Sequence, residues 1–271
     1  MRKAYGKKWA SVLVEKLEHP LTRGLSVDDP QTTAIRRQLI QQKKILRLIY
    51  QEWYAKLKST LPAGKGSVVE IGSGAGFLSN VIPECITSDV FYNQWTTLVL
   101  DGQHLPFADQ SLRAIMMIDV LHHLPLVRKF LNSAARCVRA GGVMSMVEPW
   151  VTPWSKIFFR YFQSEPFLPK SKTWEFAKNG PLSGANIALP WILFERDHYL
   201  FEREFPQWQI QRLDPIMPFT YLLSGGVSMR SLMPAFTYSF WHAIEKAFAR
   251  LTSMALFAII VLVRTNVRAD H

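Results

Sequence analysis

Two cysteines in 271 residues, Cys85 and Cys137, far apart and without Cys-x-x-Cys spacing, leave no disulfide framework to hold a fold together. They read as buried, reduced thiols of a cytoplasmic protein. No His/Cys cluster has metal-ligand spacing, so no metal is expected, and no internal repeat or low-complexity tract is present. The longest apolar run, Met254 to Val263, stops at ten residues, well short of the ~20 a bilayer-spanning helix needs. A buried strand explains it better. The N-terminus is basic but lacks the following apolar block and cleavage site of a signal peptide.

What is present supports a large core. Hydrophobic residues make up 48% of the chain, which argues against wholesale disorder, and the length suits one large α/β domain with insertions or two small ones. The net charge of +11 is unevenly placed. Residues 1–66 carry 14 Lys/Arg against five acids, so nine of the eleven net charges lie in the first quarter. From Gln31 to about Lys58 the apolar positions Ile35, Leu39, Leu46, Ile49, Trp53 and Leu57 recur at helical spacing, with basic residues mostly on the remaining surface. Three readings compete for this basic segment, residues 1–60. It packs on the domain with a solvated face, it closes over a ligand as a lid, or it rests on an anionic membrane surface. Nucleic acid is disfavoured, because no helix-turn-helix or aromatic-basic strand pattern accompanies the charge.

The most informative stretch runs from Ser67 to Ser79. Val68, Val69 and Ile71 read as a buried parallel strand ending in Glu70-Ile71-Gly72-Ser73-Gly74-Ala75-Gly76, with a helical pattern after it that Pro83 cuts short. Glycine lets the backbone approach a ligand closely, and a helix N-terminus offers free N–H groups. A dinucleotide fingerprint would need a small residue at position 77, where Phe77 stands. A P-loop would need a lysine between Gly72 and Ser79, and there is none. What remains is Glu70-x-Gly72-x-Gly74-x-Gly76 at a strand end, which an acid suits if the ligand carries positive charge. The plainer reading is a glycine-rich βα turn with no ligand.

This pattern resembles the first motif of class I S-adenosylmethionine-dependent methyltransferases (type 11-like), and the likeness continues in order to about residue 149. Asp101-Gly102-Gln103-His104-Leu105-Pro106-Phe107 matches the family's D-x-x-x-L-P-F segment, and Val138-Arg139-Ala140-Gly141-Gly142 matches its pre-strand turn apart from a missing proline. The resemblance implies S-adenosylmethionine as cofactor. Glu70 would face its amino-acid part, Gly72, Gly74 and Gly76 would clear room for it, and Asp101 with the Gly102 amide would meet the adenine edge. Asp89, the acid nearest the end of the second strand (Cys85 to Val90), is placed to receive ribose hydroxyls, as carboxylates there do in doubly wound folds. A surface-turn aspartate is the competing reading.

The fourth strand, Ser111 to Ile118, is nearly all apolar, as in a sheet covered on both faces. It ends at Asp119-Val120-Leu121-His122-His123, outside the strand ends where open α/β sheets bind ligands. Asp119 therefore belongs with the cofactor residues. His122 or His123 could serve as a general base, since neutral imidazole accepts a proton near pH 7. The alternative is that one histidine caps the next helix and the other packs under the cofactor. Glu148, at the end of the fifth strand (Val143 to Pro149), is the third catalytic candidate.

A helix spans Leu126 to Arg139. The sixth strand spans Gln207 to Ile216, a helix runs from about Thr237 to Thr252, and the seventh strand runs from Met254 to Arg264, antiparallel if the resemblance holds. Residues 150–206 are rich in aromatics, which wall an acceptor pocket or form a cap with its own core, and residues 217–253 make a second insertion with Ser224-Gly225-Gly226 as a hinge. Glu165, Glu175, Asn186, Glu195, Arg196, Asp197 and His198 are further polar candidates there.

The expectation is an α/β, doubly wound, Rossmann-like sheet of seven mostly parallel strands with an antiparallel last strand and cap insertions, residues 61–271 forming the domain. Its function would be methyl transfer by in-line displacement to a small, partly apolar acceptor. The competing readings are a non-catalytic cofactor-binding scaffold with the same fold, and an adenine-nucleotide oxidoreductase that Phe77 counts against. Oligomeric state is open.

Overall fold

The computed structural model describes residues 13–163, 165–177, 180, 182, 184–217, 219–248 and 252–266. The charges at positions 2, 3, 7 and 8 lie outside the described residues. Seven strands, β1 (Ser67–Ile71), β2 (Cys85–Asp89), β3 (Leu98–Val99), β4 (Leu112–Ile118), β5 (Val138–Pro149), β6 (Trp208–Ile216) and β7 (Phe257–Arg264), form one sheet in the order β3-β2-β1-β4-β5-β7-β6. Pairings among β1 to β5 are parallel, and β7 runs antiparallel to both β5 and β6. This is the Rossmann-like, doubly wound architecture expected. The strand order reverses beside β1, so the carboxyl ends of β1 and β4 open a crevice there.

Alternation along the strands divides the core in two. Val69, Ile71, Ile115, Met117, Met144, Met146, Ile260 and Leu262 face one side, where α3 (Val127–Cys137) brings Phe130, Leu131 and Ala134. Val68, Ala114, Met116, Val143, Val147, Ile259 and Val261 face the other, against α2 (Lys44–Lys58) with Ile45, Ile49, Trp53 and Leu57. The N-terminal helices thus share the core of the sheet. At about 1.5–3 kcal/mol for each fully buried large apolar side chain, those four positions anchor α2 firmly.

Three sequence expectations change. The helix over 31–58 is two helices, α1 (Pro30–Gln42) and α2, broken at Lys43, whose backbone leaves the helical region. The break lets the Lys43 ammonium reach the carbonyl oxygens of Gly226 and Met229, 2.5 and 2.9 Å away, and burial lowers its pKa to about 8. The pattern after the glycines gives only one 3-10 turn, Leu78–Asn80, so no helix N-terminus faces the turn. Gly141-Gly142 does not end a helix: α3 stops at Cys137, and the glycines lie in an irregular start to β5.

The first insertion holds α4 (Pro153–Tyr161), an irregular helical stretch from Leu189 to Arg196, and α5 (His198–Glu204). Its aromatics Trp174, Phe194 and Phe201 are buried with Trp208 in the α3-side core rather than around an acceptor pocket. The second holds α6 (Thr220–Ser224) and α7 (Tyr238–Phe248), and Gly225 caps α6 in the left-handed conformation. Pro181, Pro218 and Arg250 lie outside the described residues. Among the described residues no helix is long and apolar enough to cross a membrane.

Candidate active site

A cavity of about 160 Å³ lies over the carboxyl ends of β1, β2 and β4. Glu70, Gly72, Gly74, Gly76, Asp89, Asp101, Gly102 and Asp119 all line it, as does His123. The eight positions proposed from the sequence for a cofactor are therefore brought together. Of the three catalytic candidates, His122 and Glu148 stand behind the lining.

The glycine turn is shaped by close approach. Gly72 has φ +66°, and a Cβ there would lie 2.5 Å from Val120 Cγ2, so only glycine fits. The turn is held from β2, where the Ser73 N–H donates to the Ser88 carbonyl at 2.7 Å and the Ser88 N–H to Ser73 Oγ at 3.1 Å. Trp95 Nε1 donates to the Gly74 carbonyl at 2.7 Å, and Arg37 donates to that of Gly76. The Arg37 guanidinium also stacks 3.9 Å from the Phe77 ring centre and 4.8 Å from that of Trp95. Phe77 is thus drawn outward by Arg37 and leaves the hollow open.

Glu70 is 3% exposed, and its Oε2 is buried with no hydrogen-bond partner. Burial pushes its pKa up to about 7; a Ser73 hydrogen bond and Arg37 oppose the rise and Asp89 adds to it. Asp89 is the last residue of β2, and its Oδ1 accepts from the Phe91 N–H at 3.1 Å. Burial raises its pKa too. Asp101 is oriented by Gln103, whose backbone N–H and side-chain amide donate to it at 2.9 and 3.1 Å.

At the other end of the cavity, Asp119 follows β4 with φ +62°, a conformation aspartate tolerates better than most residues. Burial raises its pKa to about 6, Glu165 and Glu148 contribute, and His122 opposes. Behind it the His122 ring, 1% exposed, puts Nδ1 2.8 Å from Glu148 Oε2 and Nε2 3.4 Å from Glu165 Oε2. Glu148 Oε1 accepts from the backbone N–H groups of Val120 and Leu121 at 2.8 and 2.7 Å. Burial works against a charge on His122, yet Glu148, Glu165 and Asp119 together hold its pKa well above the usual histidine range. Burial and the His122 charge push His123 down to about 4. Glu165 falls to about 2, because the His122 hydrogen bond and both histidines outweigh its burial.

The two histidines therefore differ in kind. His122 is an imidazolium clamp between carboxylates and has no lone pair for a proton. His123 is neutral, its rings 4.2 Å from those of His122, and its Nδ1 is buried without a partner. Ligating atoms of His122, His123 and Glu165, and of Asp119, His122 and Glu148, lie within 4.8 Å of one another, a spacing that could also hold a metal ion.

The sequence reading overlooked the other wall. Thr33, Arg36 and Ile40 of α1 and Tyr50 and Tyr54 of α2 line the cavity, joined by Leu182 and Val227 from the insertions. Their only trace in the sequence is that they sit beside, not on, the apolar stripe of the helices. Of the first insertion's candidates, Glu165 brings its side chain to the histidine rings and Asn186 donates its backbone N–H to the His122 carbonyl at 2.9 Å; Arg196 pairs with Asp197, which accepts from Trp174 Nε1, and Asn186 Oδ1 accepts from the backbone N–H groups of Leu168 and Ala188.

Comparison with known proteins agrees with this arrangement. Residues 69–146 match the family Methyltransf_11, described as a methyltransferase domain. The stretch that carries the glycine turn and the strand ends around the cavity is thus similar to a methyltransferase domain. The chain superposes with a TM-score of 0.51 and 15% identity on a chain from the complex between the Haloferax volcanii Trm112 methyltransferase activator and a methyltransferase, covering 91% of this chain and 100% of that one. On geranyl diphosphate C-methyltransferase from Streptomyces coelicolor the TM-score is 0.46 at 14% identity, covering 86% and 84%. On a methyltransferase from Bacillus halodurans it is 0.43 at 14% identity, covering 78% and 97%. No curated protein matches the sequence at a significant level.

Proposed function

We propose that this chain binds S-adenosylmethionine in the cavity and transfers its methyl group to a small, partly apolar acceptor by in-line displacement. The observation that carries the reading is Glu70 Oε2, a buried carboxylate oxygen with no partner, set in the cavity wall under a turn that Gly72 keeps open. A buried acceptor without a donor is costly, and an ammonium or N–H of a ligand would satisfy it. Asp89 and Asp101 are spaced along the same wall for a ribose diol and an adenine amino group. When bound, the cofactor would supply an electrophilic methyl on a sulfonium centre.

The residues of the chain then act by holding two reactants in line, an effect that reaches ~7–11 kcal/mol in well-oriented systems. The Asp119 carboxylate at the cavity end favours positive charge close to it. His123 is in the lining, but burial and the His122 charge hold it neutral and make it a weak proton acceptor. His122 and Glu148 position the Asp119–His123 turn instead of touching the reactants.

The basic N-terminal segment supports the lid reading over membrane contact. Arg36 faces the cavity, Arg37 clasps the glycine turn, and Lys43 and Lys58 bond to backbone carbonyls of the chain itself.

Calorimetry with S-adenosylmethionine, S-adenosylhomocysteine and NAD tests the cofactor, and transfer of labelled methyl to extract metabolites tests the reaction. Binding of the first two ligands with label transfer is expected. Binding of NAD alone would overturn the reading, and donor binding with no transfer would leave a scaffold.

A further inference from the structure

The helical wall of the cavity carries donors for which the described residues provide no acceptor. Arg36 is the one Lys or Arg lining the cavity among the described residues, and it makes no hydrogen bond or ion pair with any of them. Its neighbours in sequence are engaged: Arg37 with the Gly76 carbonyl, Phe77 and Trp95, and Lys43 with two carbonyls. The Tyr50 hydroxyl, also in the lining, has no hydrogen-bond partner among the described residues either. Burial and the charge of Asp119 push the Tyr50 pKa up, so it stays protonated and able to donate.

The two consecutive arginines serve opposite ends of the cavity. Arg37 acts electrostatically on Glu70 and Tyr54, at the glycine turn. Arg36 acts on Asp119, His123, Glu165 and Tyr50, at the Asp119 end of the cavity. The same lining also holds the apolar side chains of Ile40, Leu182 and Val227.

Resting on the methyl-transfer reading, we propose that the acceptor is an amphiphile with an anionic head, a phosphate or a carboxylate, held by the Arg36 guanidinium and the Tyr50 hydroxyl, with its apolar body against Ile40, Leu182 and Val227. A guanidinium presents a planar fork of N–H donors that matches two oxygens of either anion. Asp119 and Glu165 oppose an anion at this end, but the His122 imidazolium offsets one of them, and Arg36 pairs with neither. Its charge is left for a ligand.

The test is calorimetric titration of the S-adenosylhomocysteine-loaded protein with octyl phosphate, octanoate, octanol and octylamine. One or both anions should bind and the alcohol and amine should bind at least tenfold more weakly; which anion is preferred separates phosphate from carboxylate. Arg36→Gln should weaken the preferred anion about 10- to 100-fold, Arg36→Lys less, and Tyr50→Phe several-fold. Thermal unfolding close to that of the wild type shows that all three fold, and their S-adenosylhomocysteine affinity should fall by less than tenfold. Equal anion binding by Arg36→Gln, or preference for octanol or octylamine, overturns the inference while leaving methyl transfer intact. A tenfold loss of S-adenosylhomocysteine affinity in Arg36→Gln overturns it by assigning Arg36 to the carboxylate of the cofactor. Failure of the wild type to bind S-adenosylhomocysteine removes both.

Discussion

Replacing Glu70 with glutamine should stabilise the ligand-free protein at alkaline pH while damaging the site. The carboxyl, ordinarily near 4.5, is raised to about 7, chiefly by burial. A folded-state value above the unfolded one means that the folded protein holds the proton more tightly. The stability this contributes is present below pH 4.5, is lost as the pH rises to 7, and stays lost above that. Moving from 4.5 to about 7 makes ionisation in the folded state costlier by about 3 kcal/mol. Glutamine keeps the shape and carries no charge, but its amide still needs partners, which leaves a net gain of about 1–3 kcal/mol at pH 8. For a chain of this size that corresponds to a melting temperature higher by about 2–10 °C. At pH 5 the wild-type penalty has shrunk to about 1 kcal/mol or less, and the gap should nearly close. S-adenosylhomocysteine should restore the wild type at pH 8 far more than the variant. Thermal unfolding at the two pH values, with and without that ligand, measures all of this. A Glu70→Gln protein no more stable than wild type at pH 8, or a gap of equal size at pH 5, would refute the reasoning.

Glu148→Leu removes the acceptor of two backbone N–H groups and the partner of the buried His122, so urea unfolding should show a loss of about 3–5 kcal/mol; a loss below about 1 kcal/mol would mean that the cluster relaxes around water. Because the pKa of His122 is raised in the folded state, the stability from this cluster is complete below the usual histidine range and is lost as pH rises through the folded-state value, so wild type and variant should converge at high pH. Arg37→Met removes the stacking on Phe77 and Trp95 and the bond to Gly76, with the cation–π contacts alone contributing about 0.5–1 kcal/mol. Hydrogen exchange of α1 should quicken and S-adenosylhomocysteine should dissociate faster, whereas unchanged exchange in α1 would show that Arg37 does not hold the cover down.

The parts of the fold that could be read from sequence are those whose residue types are dictated by burial on both faces of a sheet. β1, β4 and β7 announce themselves as largely apolar runs, and the turn after β1 by three glycines, of which Gly72 leaves no room for a Cβ beside Val120. Asp89 and Asp119 follow from strand ends, because topology places those ends at one crevice, and Asp101 from the resemblance of its segment to D-x-x-x-L-P-F. The break at Lys43 was hidden, since it depends on carbonyl oxygens of residues 226 and 229, far away in sequence. The absent helix after Gly76 was hidden similarly: Arg37 and the Tyr54 hydroxyl, which accepts from the Phe77 N–H at 2.8 Å, take up that segment from outside. Arg36 and Tyr50 look like any solvated face of an amphipathic helix, and only the placement of α1 and α2 over the crevice turns them inward.

The histidine pair shows why residue type does not fix role. Two adjacent imidazoles at a strand end read as a base at His122 or His123, or as a helix cap and a packed ring. The fold separates them by what each nitrogen meets. His122 meets three carboxylates and becomes a cation; that cation in turn holds His123 neutral and Glu165 ionised. Positive charge behind Asp119 also tempers its carboxylate, so the cavity end would attract a sulfonium without being strongly acidic. A proton taken by His123 would have to form beside an existing imidazolium, which makes it a poor base. Under the proposed methyl transfer, this end would therefore suit acceptors that need no strong base, such as a nucleophile already ionised or one that loses its proton only after the methyl has moved.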